Sequence, residues 1–218
     1  MKDFFEDLDE RMEKAKELLL ERYEFQADKR VYNFPFLIGQ GNWMDSEKLK
    51  PADRLRRVNK HGTLAIGFVG LAECLKALTG KHHGESQESQ KLGLKIIEHM
   101  RQKIDDFTEK TNLNFVLYET HENDVIEYLM SVDKSIFGKF KGVTDAEKYT
   151  IGFALPKDYN ISIKDQLEIE SRYHQLTNGG HITTIDLGIK AQGNPDAFEK
   201  AVKLMKEFEI GYGKLIIN

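Results

Sequence analysis

The sequence predicts a mixed α/β fold, with a helical N-terminal half followed by alternating strands and helices. Before residue 113, apolar residues recur at helical spacing over long stretches. From residue 114 onward, short β-branched and aromatic runs alternate with segments that begin at helix-capping residues. We expect one domain over residues 1–218, composed of a helix and an irregular segment (1–60), a helical core (61–113) and an alternating β/α part (114–218).

The first predicted element is a helix over residues 3–29. Its apolar residues recur every three or four positions, and Glu, Lys and Arg fill the opposite face. These apolar residues are Phe4, Leu8, Met12, Ala15, Leu19 and Tyr23. Pro35 disfavours a helical conformation in the residue before it, so an irregular segment should follow, with Trp43 as its apolar anchor.

Two further helices are predicted between residues 61 and 113. Residues 64–78 are apolar on nearly every side, which is typical of a buried helix, and Gly80 is placed to end it in the left-handed conformation. We expect residues 64–78 to be the most buried element. A long amphipathic helix should then run from Ser86 to about Glu109. Its predicted buried face contains Leu92, Ile96, Ile97, Met100, Ile104 and Phe107.

In the second half, the pattern alternates between strand and helix. Strands are predicted at 115–118, 149–155, 181–186 and 214–217, and helices at 123–131, from Ser162 to Tyr173, and from Pro195 to Phe208. Ser162 and Asn194 are good N-caps, and a proline favours the first helical position. This alternation favours an α/β layer or part of a barrel.

Composition excludes several classes of protein. The net charge of −4 is too small to recruit nucleic acid or an anionic membrane by a whole-chain field. No apolar stretch approaches the roughly 20 residues of a membrane span, and the acidic N-terminus does not resemble a signal peptide. Cys74 is the only cysteine, so it cannot form an internal disulfide. We therefore expect a cytoplasmic protein.

Four features are candidates for chemistry, and each has a structural alternative. His82 and His83 lack a third ligand at helical spacing, so a locally hydrogen-bonded loop is favoured over a metal site. Cys74 is either a radical or nucleophilic thiol or an inert buried residue. The glycine-rich turn 177–181 either cradles an anion or is only a tight turn. The carboxylates after strand 115–118, beginning with Glu119, either contact a ligand at a strand end or surround a solvated helix N-terminus.

Several longer motifs carry a family resemblance. They are His61-Gly62-Thr63-Leu64 through Glu73, Ala77 through Ser86, Asn112-Leu113-Asn114-Phe115, Gly142-Val143-Thr144-Asp145, Tyr149-Thr150, Tyr173-His174, Leu176 through Ile182 and Ile210-Gly211-Tyr212-Gly213. Together they resemble the catalytic subunit of anaerobic (class III, glycyl-radical) ribonucleoside-triphosphate reductases over nearly the whole chain. The resemblance implies the later part of a ten-stranded α/β barrel.

The resemblance also implies a chemistry. In that family a glycyl radical generates a cysteine thiyl radical, which starts the reduction of ribonucleoside triphosphates to the deoxyribonucleotides used in DNA replication, with formate as the reductant. The motifs for the radical cysteine, the glycyl radical and the structural zinc are not found in this chain, and Cys74 does not occupy the radical position. The resemblance therefore implies no catalytic residue, metal ligand or cofactor site here. Its implied partners are a ribonucleoside triphosphate and a radical-activating enzyme.

The chain departs from the family pattern after Thr120. The family continues Pro-Ala-Glu-Gly-Leu-Ser-Gly-Arg-Phe, a turn and helix start suited to phosphates, where this chain has residues 121–129 with acidic side chains instead. Ile151 to Ala154 likewise replace Asn-Ser-Phe-His. Altered substrate binding is therefore expected. The candidate substrate-binding residues are Glu119, Thr120, His121, Asn178, Gly179, Gly180 and His181.

The expected function is that of a fragment or truncated relative of this reductase that is inactive on its own. The alternative is a non-catalytic nucleotide-binding or regulatory paralogue on the same scaffold. The apolar segment from Ile210 to Ile217 can pair within its own sheet or recruit another molecule. We predict that it recruits a second copy of the chain, which gives a homodimer that depends on this segment.

Overall fold

The structure is a computed structural model that describes residues 1–218. The chain forms two compact units: unit 1 contains residues 1–66 and 102–116, and unit 2 contains residues 67–101 and 117–218. The predicted single domain stays a prediction, because a compact unit is not by itself an independently folding domain. None of the helices is both long and apolar enough to cross a membrane.

Seven helices and four strands make up the chain. The helices are α1 (Lys2–Ala27), α2 (Arg56–Asn59), α3 (Leu71–Thr79), α4 (Gln87–Thr111), α5 (Asn123–Phe137), α6 (Ile163–His174) and α7 (Pro195–Glu207). The strands are β1 (Thr63–Phe68), β2 (Asn114–Glu119), β3 (Thr183–Asp186) and β4 (Gly213–Ile216), and three short 3-10 turns lie between the longer elements. The strands form two pairs, β1 with β2 and β3 with β4. The mixed α/β class and the helical N-terminal part are therefore confirmed.

Unit 1 is built around α1 and the irregular segment that follows it. A small core of buried residues contains Val31, Ile38, Leu55 and Val58. Trp43 packs against this core, and its indole Nε1–H donates to the carbonyl of Val58 at 2.9 Å. The predicted role of Trp43 as the anchor of the irregular segment is thus confirmed.

The predicted helix over residues 64–78 is wrong in its first half. Residues 63–68 form β1, and the chain then turns at Gly70, which has a φ of 76° and precedes α3. The amides of Gly70 and Leu71 donate to Thr150 and Gly152, so the backbone finds tertiary partners in place of a helical ladder. The backbone of β1 is also hydrogen-bonded to β2. This pairing cannot be predicted from the apolar pattern of residues 63–68 alone. Gly80 ends α3 with a φ of 81°, as predicted.

The predicted amphipathic helix α4 is confirmed, and so are most of its buried residues. Ile97, Ile104 and Phe107 are almost fully buried, and Ile96 and Met100 are also inside, whereas Leu92 is half-buried. After β2, helix α5 covers the predicted 123–131 and extends to Phe137. Gly138, whose φ is 83°, ends it. The helix is longer than predicted because its apolar residues continue past 131.

The last third of the chain contains the second strand pair and the helices α6 and α7. The Ser162 side chain accepts a hydrogen bond from the Asp165 amide, so it caps α6 as predicted. Strands β3 and β4 pair in parallel with Thr183 opposite Gly213, and their core contains Leu167, Ile185 and Ile210. The predicted strand at 149–155 is wrong. Ile151 forms only an isolated bridge with Val69, because the chain around it turns rather than extends.

The pairing of β4 corrects the expected cause of self-association. Strand β4 is hydrogen-bonded to β3 of the same chain, and Leu215 packs against the core beneath this sheet. Of the two possibilities left open by the sequence, the apolar segment 210–217 therefore pairs within its own sheet. Removing residues 210–217 would therefore remove a strand of the β3–β4 sheet rather than a contact between two molecules.

Candidate functional site

The site is positioned by the turn 177–180, which lies along β2. The Leu117 amide donates to Asn178 Oδ1 at 2.9 Å, the Gly179 amide to the Leu117 carbonyl at 2.8 Å, and the Glu119 amide to the Gly180 carbonyl at 3.3 Å. Gly180 has a φ of 103°, which L-residues with side chains rarely adopt. The amides of Gly179 and Gly180 are both used inside the protein, so the tight turn is favoured over an anion cradle.

Glu119 ends β2 with its side chain buried inside unit 2. Its side chain is 2% exposed, and its Oε1 accepts a hydrogen bond from the Ile182 amide. Burial raises the pKa of Glu119 to about 7, against the opposing effect of the Ile182 N–H bond, and the carboxyl of Glu170 adds to the rise. Near neutral pH the Glu119 carboxyl is therefore partly protonated and partly ionised.

His121 connects Glu119 to solvent. Its Nε2 lies 3.1 Å from Glu119 Oε1, and its side chain is 37% exposed. Burial lowers the pKa of His121 below its ordinary value, although the carboxylate of Glu122 opposes this. The two side chains therefore lie in contact, and the imidazole of His121 is open to solvent on one side.

His181, whose pKa is lowered in part by His121, has a ring nitrogen without a hydrogen-bond partner. The Thr177 hydroxyl donates to the His174 carbonyl at 3.1 Å, and its oxygen lies 3.1 Å from His181 Nδ1. A hydroxyl proton donated to the His174 carbonyl favours the tautomer with its hydrogen on His181 Nδ1, which leaves a lone pair on Nε2. This Nε2 is buried and has no hydrogen-bond partner. Burial lowers the pKa of His181 to about 4, and His121 contributes to the decrease.

Further ionisable side chains lie behind His181. The rings of His174 and His181 stack with their centroids 3.6 Å apart. Phe153 contacts both rings, and its carbonyl accepts a hydrogen bond from His83 Nε2 at 2.8 Å. Burial lowers the pKa of His174 to about 3 and that of His83 to about 4. All three imidazoles are therefore neutral near pH 7.

Glu170 completes what we call the buried cluster, which consists of His83, Glu119, Glu170, His174 and His181. Glu170 lies on α6 and accepts hydrogen bonds from the Leu155 amide at 3.1 Å and from the Gln166 side chain. Burial raises the pKa of Glu170 to about 7. The cluster contains carboxyl groups and neutral imidazoles but no lysine or arginine, so an uncharged hydrogen-bonding ligand matches it better than an anion.

The structure divides the seven sequence-predicted site residues into two groups. Glu119, His121 and His181 come together at the end of β2. Thr120 instead donates its amide to the Phe68 carbonyl at 3.2 Å and packs over Gly67, and the segment 178–180 secures the backbone of β2. Sequence reasoning missed His174 and Glu170 as site residues. Only the Tyr173-His174 motif pointed towards that part of α6.

The remaining sequence candidates have structural roles. His82 Nδ1 accepts from the Gly84 amide at 3.1 Å, and His83 bonds to Phe153, so the pair stabilises its loop. Across residues 1–218, no group of His, Cys, Asp and Glu side chains is arranged to hold a metal ion. Burial, with a contribution from Glu73, raises the pKa of Cys74 to about 11, so its thiol is protonated at neutral pH.

Solved structures of an anaerobic ribonucleotide reductase share the fold of this chain. It resembles the crystal structure of the anaerobic ribonucleotide reductase from Thermotoga maritima with glycerol in the active site, with a TM-score of 0.72 over 98% of this chain and 32% of that chain. The structure of the same enzyme with dATP bound in the specificity site gives a TM-score of 0.70 over 98% and 33%. Sequence identities are 15% and 17%, so these similarities establish the fold alone.

Sequence comparison establishes the family. The profile described as "Anaerobic ribonucleoside-triphosphate reductase" matches residues 1–217, so the chain belongs to this family. It is 30% identical to the anaerobic ribonucleoside-triphosphate reductase of Salmonella typhimurium over 182 residues, which cover 82% of this chain and 25% of that protein. The corresponding protein of Enterobacteria phage T4 is 28% identical over 186 residues, 84% of this chain and 29% of that protein. The chain thus spans roughly a quarter of these relatives.

Proposed function

We propose that this chain, which spans roughly a quarter of its relatives, is a diverged relative of the catalytic subunit of anaerobic ribonucleoside-triphosphate reductase and binds a ribonucleotide at the end of β2. The family membership supports the substrate class. The observation that carries the proposal is the convergence of Glu119, His121 and His181 at one strand end, where α/β proteins commonly bind ligands. The proposal includes a cytoplasmic location and contact with a radical-activating enzyme and a second copy of the chain.

The groups at this strand end suit the sugar of a nucleotide better than its phosphates. His181 Nε2 is a lone-pair acceptor, and the carboxyl of Glu119 can accept or donate a hydrogen bond. Ribose hydroxyls can donate to both groups. The exposed carboxylates of Glu122 and Asp124 follow directly and would repel a triphosphate, whereas Lys214 lies close enough to His121 to lower its pKa. The acidic residues in place of a phosphate-binding turn favour the second candidate function, a paralogue that is non-catalytic, either nucleotide-binding or regulatory.

Nucleotide binding is tested by calorimetric titration of the 218-residue protein. We expect ribonucleosides to bind, and ribonucleoside triphosphates to bind more weakly because Glu122 and Asp124 repel the phosphates. We expect 2′-deoxyribonucleosides to bind more weakly than ribonucleosides because one hydroxyl donor is missing. His121→Ala should weaken binding about 5- to 30-fold. This corresponds to the loss of one hydrogen bond between the His121 imidazole and the ligand, at about 1–2 kcal/mol. His99→Ala on α4 is the matched control. Equal affinities for the two variants would contradict the proposed site.

Turnover by these 218 residues alone is not expected. The only thiol, Cys74, is half-buried, and the rise in its pKa keeps it protonated. Its cavity of about 280 Å³, which Glu73 and Tyr149 also line, includes none of the residues of the buried cluster. We therefore expect no deoxyribonucleotide when the protein is incubated with ribonucleoside triphosphates, formate and an activating enzyme. Chromatographic detection of deoxyribonucleotide above the enzyme-free background would refute this expectation.

A further inference from the structure

The motif from Ala77 to Ser86, which the proposed function does not use, ends at a cavity. This cavity of about 480 Å³ lies within unit 2, between the first turns of α4 and α6. Small-molecule sites in proteins have volumes of about 300–1,000 Å³, so the cavity is large enough to bind a ligand. The loop 83–86 forms one of its walls. Of the buried cluster, only His83 lines it, so the cavity does not include the site at the end of β2.

Each of the two helices lines the cavity with one face. On α4 the lining side chains lie between Gln87 and Leu94, and on α6 they lie between Asp165 and Arg172. In both helices they follow the i, i+3, i+4, i+7 spacing, which places side chains on the same face. The two faces therefore form the long walls of a groove, which we call the α4–α6 groove.

The two helices run in the same direction. Just before both of them, the Tyr159 hydroxyl donates to the Gly84 carbonyl at 2.7 Å. At the end of α6, the guanidinium of Arg101, far along α4, donates to the Gln175 carbonyl at 3.3 Å. Early residues of α4 thus lie beside early residues of α6, and the first turns of both helices are at the same end of the groove.

The end of the groove at these first turns is lined by hydrogen-bond acceptors. The carboxylates of Glu85 and Asp165 line it, and Asp165 Oδ2 accepts from the Ser162 hydroxyl. His83 Nε2–H donates to the Phe153 carbonyl, so His83 Nδ1 carries a lone pair. This Nδ1 is buried without a hydrogen-bond partner, which is uncommon for a buried polar atom. The wall at this end therefore matches a ligand group that donates hydrogen bonds.

The other end of the groove is lined by cations. Lys91 on α4 and Arg172 on α6 are both exposed, and they line the cavity from opposite walls. Two such donors match a carboxylate. Asp165 and Arg172 are seven residues apart, so the two ends are separated by about 10 Å at 1.5 Å per residue. Leu94 and Ile169 provide apolar surface in the same groove.

We propose that the α4–α6 groove binds a short peptide of about three residues, with its ammonium group at the acceptor end and its carboxylate between Lys91 and Arg172. Three residues of extended chain span about 10 Å, which matches the separation of the two ends. A single amino acid carries its two charges side by side and cannot reach both. Leu94 lies just beyond Lys91 on the same face, so a C-terminal leucine in the peptide finds an apolar contact.

Calorimetric titration of the 218-residue protein with the peptide Ala-Ala-Leu at pH 7 and low salt tests the ligand class. We expect saturable binding at one site. Acetylation of the peptide's N-terminus and amidation of its C-terminus should each weaken binding at least tenfold, because each removes one charge. Free leucine should bind more weakly than the tripeptide. Spermidine and citrate each carry only one kind of charge, and either of them binding as tightly as the tripeptide would overturn the inference.

Variants at the two ends of the groove test the orientation of the peptide. Lys91→Gln should weaken binding of Ala-Ala-Leu at least fivefold but have little effect on the amidated peptide, which has already lost the carboxylate. Asp165→Asn, which keeps an oxygen for the Ser162 hydroxyl, should likewise weaken the free peptide and have little effect on the acetylated one. Melting curves report whether each variant is folded.

The matched controls are Lys164→Gln on α6 and Glu98→Gln on α4, because both side chains are exposed and lie outside the cavity. Neither should change binding. No saturable binding of Ala-Ala-Leu, equal affinities for the free and blocked peptides, or a Lys91 variant that binds like its control would overturn the inference. His121→Ala separates the two proposals, because it should bind the peptide as tightly as the wild type does.

Discussion

Gly67→Val is expected to lower the free energy of unfolding by about 3 kcal/mol, at the upper end of overpacking effects. Gly67 lies in β1, directly beneath the side chains of Tyr118 in β2 and of Thr120, the residue after β2. A Cβ atom at Gly67 would approach Tyr118 Cε1 to 2.7 Å and would overlap the Thr120 hydroxyl. Valine has the higher strand propensity, but that advantage is worth less than about 1 kcal/mol. Steric overlap should therefore outweigh strand propensity, so Gly67→Val should be less stable than the wild type.

The matched control is Gly211→Val, because no atom lies within 4 Å of a Cβ atom built at Gly211. Urea unfolding followed by circular dichroism measures both variants under the same conditions. We expect the midpoint for Gly67→Val to fall well below that of the wild type, and the midpoint for Gly211→Val to stay close to it. Similar midpoints for the two variants would show that β1 is not packed against β2 as described.

Glu170→Gln should stabilise the protein at about pH 8 and have little effect at about pH 4.5. The folded-state pKa of Glu170 is raised by burial from 4.5 to about 7. Its contribution to stability is therefore fully present below pH 4.5 and is lost as the pH rises through about 7. At about 1.4 kcal/mol per pH unit, the loss amounts to about 3 kcal/mol at pH 8. Glutamine resembles the protonated acid in shape and avoids this loss.

The comparison must be made between variant and wild type at each pH. The pKa values of His83, His174 and His181 are lowered by burial, so their contributions are present above pH 6.5 and decrease as the pH falls towards 4. This effect is common to both proteins and cancels in the difference. Glu168→Gln on the same helix is the control, because Glu168 is exposed beside Arg172. A Glu170→Gln variant that is no more stable than wild type at pH 8 would contradict the buried, ionisable carboxyl.

Most helices could be predicted from local signals, whereas strand β1 could not. Helices α1, α4, α6 and α7 have a regular apolar face or a clear cap such as Ser162, and both are properties of neighbouring residues in the chain. The segment that became β1 is apolar throughout, and such a run is compatible with either structure. Its state was decided by β2, about 50 residues away, and by the tertiary partners of the turn at Gly70.

Some features of the candidate site could likewise be predicted from the sequence, whereas others depend on tertiary contacts. The position of Glu119 at a strand end and the glycine turn before His181 are visible in the sequence by itself, and so is the family resemblance. The raised pKa of Glu119, the lone pair on His181 and the participation of Glu170 were decided only by the tertiary structure. Ionisation depends on desolvation and on neighbours brought together from distant segments. The sequence therefore determined which groups are present, and the packing of α6 and the turn against β2 decided their protonation and their access to a ligand.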